Sequence, residues 1–226
     1  MRINKLLSNM GFCSRKEANR FIEEERITVN GELCIPGQWV EEEDNILIDN
    51  EPITPRKKVY IALNKPVGIT CTAEKTVENN IISFMNYNQY IFPVGRLDKE
   101  SQGLILMTND GDLANKILES ENEHEKEYIV TLNKEFDDDF IKGMSAGVEI
   151  LGTVTKPCKV TRINQDTFKI ILTQGLNKQI RRMSKVFGYT VTRLERIRIM
   201  NVKIDGIEYG KWRELTEEEV WELGNS

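Results

Sequence analysis

The spacing of apolar residues predicts a small helical module at the start of the chain. Between residues 3 and 10, apolar side chains recur at i, i+3, i+4 and i+7, which is the stripe of a short helix. Ser14 and Glu17 form the S-x-x-E pattern of a capping box, so a second helix is expected to begin there. Asn30-Gly31 lies between two β-prone runs and predicts a hairpin turn. Two helices followed by a small hairpin sheet are therefore expected.

Strand-type runs dominate the chain from Val59 onward. They lie at 59–63, 104–108, 127–132, 158–163 and 167–173. Helical spacing appears at 112–118 and at 180–187, and Thr216 with Glu219 forms a second capping box near the end. Because several strands follow one another without helices between them, we expect an α+β fold with a mixed, mainly antiparallel sheet flanked by helices.

The segment 51–58 separates these two patterns. It reads EPITPRKK, and its two prolines and basic cluster are typical of a linker. We therefore expect two domains, a small one at 1–58 and a larger one at 59–226.

The composition is that of a globular protein, because 39% of the 226 residues are hydrophobic and 30% are charged. No apolar run approaches the roughly 18 residues of a membrane span. Charges also interrupt the N-terminal segment, where a signal peptide requires a continuous apolar block. The sequence thus predicts a cytoplasmic protein without a membrane partner.

Few residues are available for metal or nucleophilic chemistry. The four cysteines are dispersed, and His124 is the single histidine. This disfavours a disulfide framework, a zinc site and a Ser-His or Cys-His nucleophile pair. The glycines show neither the G-x-G-x-x-G nor the G-x-x-x-x-G-K spacing of loops that bind nucleotide phosphates. We therefore expect a reaction that uses neither a metal nor a cofactor.

The net charge of -5 conceals a strong asymmetry along the chain. Residues 1–22 hold five Lys/Arg against one acid, and residues 175–213 hold ten against three. Residues 119–139 hold nine acids against two lysines. Two basic regions separated by an acidic one favour a polyanion docked in a defined orientation, although ordinary solvated charge is the alternative.

One carboxylate is a candidate catalytic group. Asp98 lies in the stretch VGRLDKESQGLILMTNDG, in a loop that precedes an apolar strand, two residues after Arg96. A carboxylate that stays ionised beside a guanidinium can act as a nucleophile or a base. An Arg-x-Asp loop is more often a surface ion pair, so the residues alone leave both interpretations open.

The beginning of the chain resembles a known RNA-binding module. INKLLSNMGFCSRKEANRFIEEERITVNGE is similar to the S4-type module of the fourth small-subunit ribosomal protein. The resemblance implies that the helices present basic residues to folded RNA, mainly to its phosphates. These residues are Arg2, Lys5, Arg15, Lys16 and Arg20.

The rest of the chain resembles ribosomal RNA pseudouridine synthases that carry this module. The similarity rests on VGRLDKESQGLILMTNDG, EKEYIVTL and QGLNKQIRRMSKVFGYTVTRLERIRIMNV, in this order. Within the family, HEKEYIV and GMSAGVEILGTVTKPCKV are most like the F-type enzymes of the large subunit. The resemblance implies an enzyme that isomerises uridine to pseudouridine in 23S ribosomal RNA or in a large-subunit assembly intermediate, without a cofactor. We expect it to be a monomer.

The same resemblance implies three catalytic residues. Asp98 would be the nucleophile or would abstract a sugar proton, and Arg181 would pair with it and keep it ionised. Tyr128 would stack on the uracil and is a candidate base for the C5 proton. The alternatives to these roles are that Arg181 is an ordinary solvent-facing arginine and that Tyr128 is an ordinary core residue.

Further residues are implied around the extruded nucleotide. Arg96 would fill the space that the nucleotide vacates or would hold its phosphate, because the base must leave its stack to react. Leu176 and Ile180 would be apolar neighbours of the uracil ring, or ordinary packing residues. Four cations would contact the RNA backbone, namely Lys178, Arg182, Lys185 and Arg193.

Two rival functions remain open at this stage. A non-enzymatic RNA-binding protein would share the basic N-terminal module. A hydrolase could use Asp98 and Glu100 as a carboxylate pair, but such a pair requires one carboxyl with a raised pKa, and the basic loop offers no such environment.

Overall fold

The computed structural model describes residues 1–41, 43–74, 76–119 and 123–225. The N-terminal module contains two helices and a four-stranded antiparallel sheet with the order β2-β1-β3-β4. Its elements are α1 (Ile3–Asn9), α2 (Arg15–Glu23), β1 (Ile27–Val29), β2 (Glu32–Leu33), β3 (Ile46–Ile48) and β4 (Glu51–Pro52). This is the predicted arrangement of two helices and a small sheet.

Local signals form as expected in this module. The backbone N–H of Glu17 donates to Ser14 Oγ at 3.0 Å, and the backbone N–H of Ser14 donates to Glu17 Oε2 at 3.1 Å, which is a complete capping box. Asn30 and Gly31 both have positive φ values, 53° and 87°, as a tight hairpin turn requires. Ile3, Leu7 and Ile27 are buried between the helices and the sheet.

A nine-stranded sheet forms the centre of the remaining described chain. Seven strands have the order β11-β12-β8-β13-β7-β5-β15, with β14 paired to β13 and β6 paired to β7. The strands are β5 (Tyr60–Lys65), β6 (Phe92–Val94), β7 (Gln102–Thr108), β8 (Lys126–Leu132), β11 (Lys159–Arg162), β12 (Thr167–Leu172), β13 (Val191–Ile199), β14 (Val202–Lys203) and β15 (Trp212–Glu214). Among these described strands, β13 and β7 alone pair in parallel. The predicted mixed, mainly antiparallel sheet is thus confirmed.

Five helices and a short hairpin accompany this sheet in the described residues. They are α3 (Ile81–Met85), α4 (Gly111–Leu118), α5 (Asp138–Ala146), α6 (Gln179–Val186) and α7 (Glu217–Asn225), with β9 (Glu149–Ile150) and β10 (Thr153–Val154). The predicted capping box before α7 is present, because Thr216 and Glu219 exchange hydrogen bonds of 2.9 and 3.2 Å. None of the helices in the described ranges is long and apolar enough to cross a membrane.

The segment between the module and the sheet is held by hydrogen bonds on both sides. Part of the predicted linker is the strand β4, and the rest runs past Asn109, at the end of β7. Asn109 Nδ2 donates to Lys57 O at 3.0 Å, and Asn109 Oδ1 accepts from Val59 N at 2.9 Å. The N–H of Arg56 donates to Met10 O at 3.0 Å in the module. These contacts fix the path of the chain from one part to the other.

Candidate active site

A cavity of about 580 Å³ opens beside the centre of the large sheet. Its walls come from the loop before β7, from strands β8 and β13, and from the segment that leads into α6. Asp98, Arg96, Tyr128 and Lys178 all line it. The structure therefore brings four of the residues singled out in the sequence to one place.

The loop that carries Asp98 is tied down by its own backbone. The N–H of Ser101 donates to Asp98 O at 3.0 Å, and the N–H of Gly68 donates to Lys99 O at 2.8 Å. The N–H of Leu97 donates to Cys71 Sγ at 3.4 Å. With Leu97 buried on one side, the half-buried carboxylate of Asp98 is presented to the cavity from a fixed backbone.

Arg181 does not form the expected ion pair with Asp98 in the described structure. Its Nη1 donates to Val191 O at 3.0 Å, and its Nη2 donates to Ser101 Oγ at 3.2 Å and to Glu100 O at 3.3 Å. The two terminal nitrogens thus donate to backbone and hydroxyl acceptors at the far end of the loop, and the buried Nε has no partner among the described residues. Arg181 holds the loop against α6 and β13, and it does not contact the carboxylate.

Tyr128 forms part of the apolar side of the cavity. It lies on β8, is half-buried, and packs against two apolar clusters, one on each side of it along the sheet. Leu176 and the buried Ile180 also line the cavity. The site therefore combines a carboxylate with an aromatic and aliphatic wall of the kind that accepts a planar base.

The cations expected on the RNA backbone divide into two groups around this cavity. Arg96 and Lys178 are exposed at its edge. Lys185 is exposed on α6 away from the cavity lining, and Arg182 donates to both oxygens of Asn177. Arg193 donates to Glu195 Oε2 at 2.8 Å. Only the first two are placed to meet a nucleotide that enters the cavity.

The basic residues of the N-terminal module lie outside the cavity. Lys5 is half-buried, and the other four, Arg2, Arg15, Lys16 and Arg20, are exposed. Lys16 pairs with Glu74 at 2.8 Å, and Arg20 pairs with Glu24 at 3.6 Å. Exposed pairs of this kind contribute only about 0–1 kcal/mol, so these cations can exchange their partners for phosphates.

The acidic stretch at 119–139 is partly structural. Residues 120–122 lie outside the described residues. Asp137 Oδ1 accepts from the N–H of Phe140 at 2.9 Å and caps α5, and Asp138 pairs with Arg162 at 2.9 Å. Carboxylates near a helix N-terminus stabilise the helix. Part of the negative charge in this stretch is therefore explained by its role in the fold.

The carboxylate pair of a hydrolase is not supported by the electrostatics. The backbone N–H of Glu100, and then the charges of Lys178, Arg181 and Lys65, hold the pKa of the Glu100 carboxyl below its ordinary value. A general acid requires a raised pKa. Glu100 is therefore unsuited to donate a proton beside Asp98.

Three buried or half-buried cations beside the cavity were missed in the sequence. Lys65 is fully buried, with its Nζ donating to Pro66 O and Ile69 O at 2.9 Å each. Arg196 is 3% exposed, and Lys126 donates to His124 O at 3.2 Å; both line the cavity. The sequence LERIRI contained a signal for Arg196. It lies two residues after the buried Leu194 and therefore on the same face of the strand.

Comparison with known proteins agrees with the two resemblances seen in the sequence. The family model described as RNA pseudouridylate synthase matches residues 59–185, and the S4 domain matches residues 1–46. A solved structure described as a pseudouridylate synthase superposes with a TM-score of 0.73 at 28% identity and covers 99% of both chains. Both the fold and the domain content predicted from the sequence are confirmed.

Curated relatives extend this agreement along the chain. The protein named dual-specificity RNA pseudouridine synthase RluF is 54% identical in Salmonella typhi, over 98% of this chain and 78% of the relative. The protein of that name in Escherichia coli K12 is 52% identical over 99% and 78%. An uncharacterized RNA pseudouridine synthase of Aquifex aeolicus is 36% identical over 99% and 96%. The chain belongs to the family of RNA pseudouridine synthases.

Proposed function

We propose that this pseudouridine synthase acts on ribosomal RNA, and that its target is a uridine of the 23S large-subunit RNA, free or in an assembly intermediate. The observation that carries the proposal is the Asp98 carboxylate, presented to a cavity whose other side contains Tyr128. Isomerisation of a uridine requires a reactive group beside its sugar and a surface against which the uracil ring can lie. In this cavity Asp98 is the reactive group and Tyr128 belongs to the surface.

In this proposal Asp98 acts on the sugar of the extruded uridine. The C1′–N1 bond breaks with its electron pair going to N1. Asp98 either bonds to C1′ or removes a sugar proton to give a glycal. The uracil turns and C5 bonds to C1′; in the first route the Asp98–C1′ bond breaks at this step, and in the second Asp98 returns its proton to the sugar. The C5 proton then leaves and N1 gains a proton. Because no atom is gained or lost overall, no redox cofactor or co-substrate is required, and Tyr128 is the candidate base for the C5 proton.

We assign different parts of the RNA to the two domains, 1–58 and 59–226. The exposed cations of the module, such as Arg15, would hold phosphates of folded RNA at a distance from the reacting nucleotide. Arg96 and Lys178, at the edge of the cavity, would hold the backbone beside the extruded base. The hydrogen bonds of Asn109 to the linker support a fixed orientation between these contacts.

Arg181 is proposed to act as a positioning residue for Asp98. Its contacts to Glu100 O and Ser101 Oγ fix the end of the loop, and Val191 O fixes the guanidinium itself. We further propose that the protein is cytoplasmic and acts as a monomer; within its described residues, one chain supplies both the basic module and the lining of the cavity.

The test is the variant Asp98→Asn beside Glu100→Gln. Pseudouridine is mapped in all RNA from cells that lack the protein and express wild type or one variant. The map covers all RNA because the relatives at 52–54% identity are named dual-specificity enzymes. We expect Asp98→Asn to form no pseudouridine at sites that the wild type restores, and Glu100→Gln to restore them.

Each alternative gives a different pattern. A wild type that restores no site in 23S RNA would contradict the proposed substrate. Full conversion by Asp98→Asn would contradict the catalytic assignment, and loss of activity in Glu100→Gln with release of free uracil would favour the hydrolase. A non-enzymatic RNA-binding protein would change no site at all.

A further inference from the structure

One row of residues crosses four strands of the sheet beneath the cavity. In the register, Tyr128 on β8 is the partner of Arg196 on β13, Arg196 is the partner of Gly103 on β7, and Gly103 is the partner of Lys65 on β5. Side chains of directly paired residues leave a sheet on the same face. Tyr128, Arg196 and Lys65 therefore share one face, and β7 contributes only the backbone of Gly103 to this row.

The guanidinium of Arg196 is buried and incompletely hydrogen-bonded. Its Nε donates to Leu104 O at 2.7 Å. Its Nη2 is buried and has no acceptor anywhere in the described structure. Burying a charged donor without a partner costs free energy, so native proteins seldom keep one without a reason. Because Nη2 has almost no accessible surface, an acceptor on the substrate reaches it only when the guanidinium turns toward the cavity that Arg196 lines.

The surroundings of Arg196 select a negatively charged or strongly polar acceptor. Lys126 lines the same cavity, and burial together with the charge of Arg196 lowers its pKa. Burial likewise lowers the pKa of Lys65, while the proximity of Cys71 and of Asp98 acts in the opposite direction. Arg196 and Lys126 thus add two basic side chains to the cavity lining, and among the described residues no ion pair with a carboxylate neutralises Arg196.

The depth of Arg196 distinguishes a base from a phosphate. Arg196 is 3% exposed and neighbours Tyr128 across the sheet, whereas Arg96 and Lys178 are exposed at the edge of the cavity. A phosphate belongs to the RNA backbone, which runs along the protein surface. An extruded base enters the pocket and is recognised by hydrogen bonds to its polar edge. The acceptor that fits the deep position is a carbonyl oxygen of the uracil.

We propose that Arg196 donates a hydrogen bond to a uracil carbonyl oxygen and stabilises the negative charge that the uracil carries once its glycosidic bond is broken. When the C1′–N1 pair moves to N1, this charge spreads over N1, O2 and O4. It is removed when C5 bonds to C1′ and N1 is protonated. Arg196 would then be a catalytic residue, since it contacts the leaving group. This inference rests on the proposed function.

The test compares two substrates within one enzyme preparation. An RNA fragment carries either uridine or 5-fluorouridine at the mapped target, and single-turnover loss of that nucleoside is measured for wild type, Arg196→Lys and Arg196→Met. Fluorine withdraws electrons and stabilises the uracil anion. The 5-fluorouridine substrate therefore depends less on the enzyme to stabilise that anion. We expect Arg196→Met to slow the uridine reaction about 100-fold, the size of a lost oxyanion donor, and the 5-fluorouridine reaction at most about 10-fold.

For each variant, the ratio of the uridine rate to the 5-fluorouridine rate separates an effect on chemistry from an effect on folding. Loss of folded protein lowers both rates equally and cancels in the ratio. Arg196→Lys keeps a charge at this position, so its ratio should lie between those of wild type and Arg196→Met. The matched control is Arg198→Met, on the same strand, because Arg198 binds Glu125 and Glu127 and lies outside the cavity lining. Its ratio should equal that of wild type.

Two failures can be told apart. If wild type converts uridine but Arg196→Met slows both substrates equally, the inference on Arg196 is wrong while the proposed function stands. If wild type restores no pseudouridine in 23S RNA of cells that lack the protein, the proposed function fails before the variants are compared. An Arg198→Met ratio as altered as that of Arg196→Met would also overturn the inference, since the effect would then belong to the strand.

Discussion

Replacement of Gly103 by alanine is expected to destabilise the protein at the one parallel pairing of the described strands. Gly103 has a φ of +106°, and a Cβ at this position would lie 2.3 Å from Arg196 O and 2.7 Å from Arg196 N. The backbone conformation costs an L side chain about 1–2 kcal/mol. Overpacking against the neighbouring strand adds about 1–3 kcal/mol. The free energy of unfolding should fall by about 2–5 kcal/mol, a large part of the roughly 5–15 kcal/mol of a native protein.

Gly206→Ala is the matched control for this measurement. Gly206 also has a positive φ, +74°, but no atom lies within 4 Å of a Cβ built there. Both variants lose the same unfolded-state freedom of glycine, so this contribution cancels between them. Urea unfolding followed by tryptophan fluorescence should show Gly103→Ala to be less stable than Gly206→Ala by about 1–3 kcal/mol. Equal stabilities would refute the reasoning, because the close approach of β13 would then not be what requires glycine.

Two other perturbations test the acidic cap of α4 and the RNA-binding module. Burial raises the pKa of Asp110, but bonds from Lys58 and Tyr60 outweigh it and hold the pKa below the ordinary 3.8. Asp110 therefore stabilises the fold above that pH, and the stability difference between wild type and Asp110→Asn in urea titrations should shrink as the pH falls below 3.8. A difference independent of pH would contradict this. Arg15→Ala should reduce the salt dependence of RNA binding by about one counterion, measured between about 50 and 200 mM salt, with unfolding unchanged; an unaltered slope would exclude a phosphate contact.

Signals that act within a few residues could be predicted from the sequence. The capping boxes of Ser14 and Thr216 and the turn at Asn30-Gly31 form as expected, since each is closed by groups three residues apart or fewer. The helix α5 was missed, although Phe140 and Met144 are buried on one of its faces. The acidic residues at its start were interpreted as part of an acidic surface region, whereas Asp137 caps the helix.

The environment of the candidate site could not be predicted in this way. Asp98 was identified by its motif, but its neighbours Lys65 and Arg196 come from strands that are far apart in the sequence. They meet because β13 runs parallel to β7 while its other neighbour, β8, runs antiparallel. Hydrophobic alternation sets which face a residue takes, and it does not set which strands become neighbours.

The absence of an ion pair at Asp98 in the described structure has a chemical consequence. If Arg181 or Arg196 were bonded to the carboxylate, the pair would have to be broken when a uridine arrives, at the cost of a partly buried charge pair. Instead Arg181 holds the loop through backbone acceptors, and the Nη2 of Arg196 keeps its donor unused. In the mechanism that we propose, this separation leaves Asp98 available to the sugar and Arg196 available to the base.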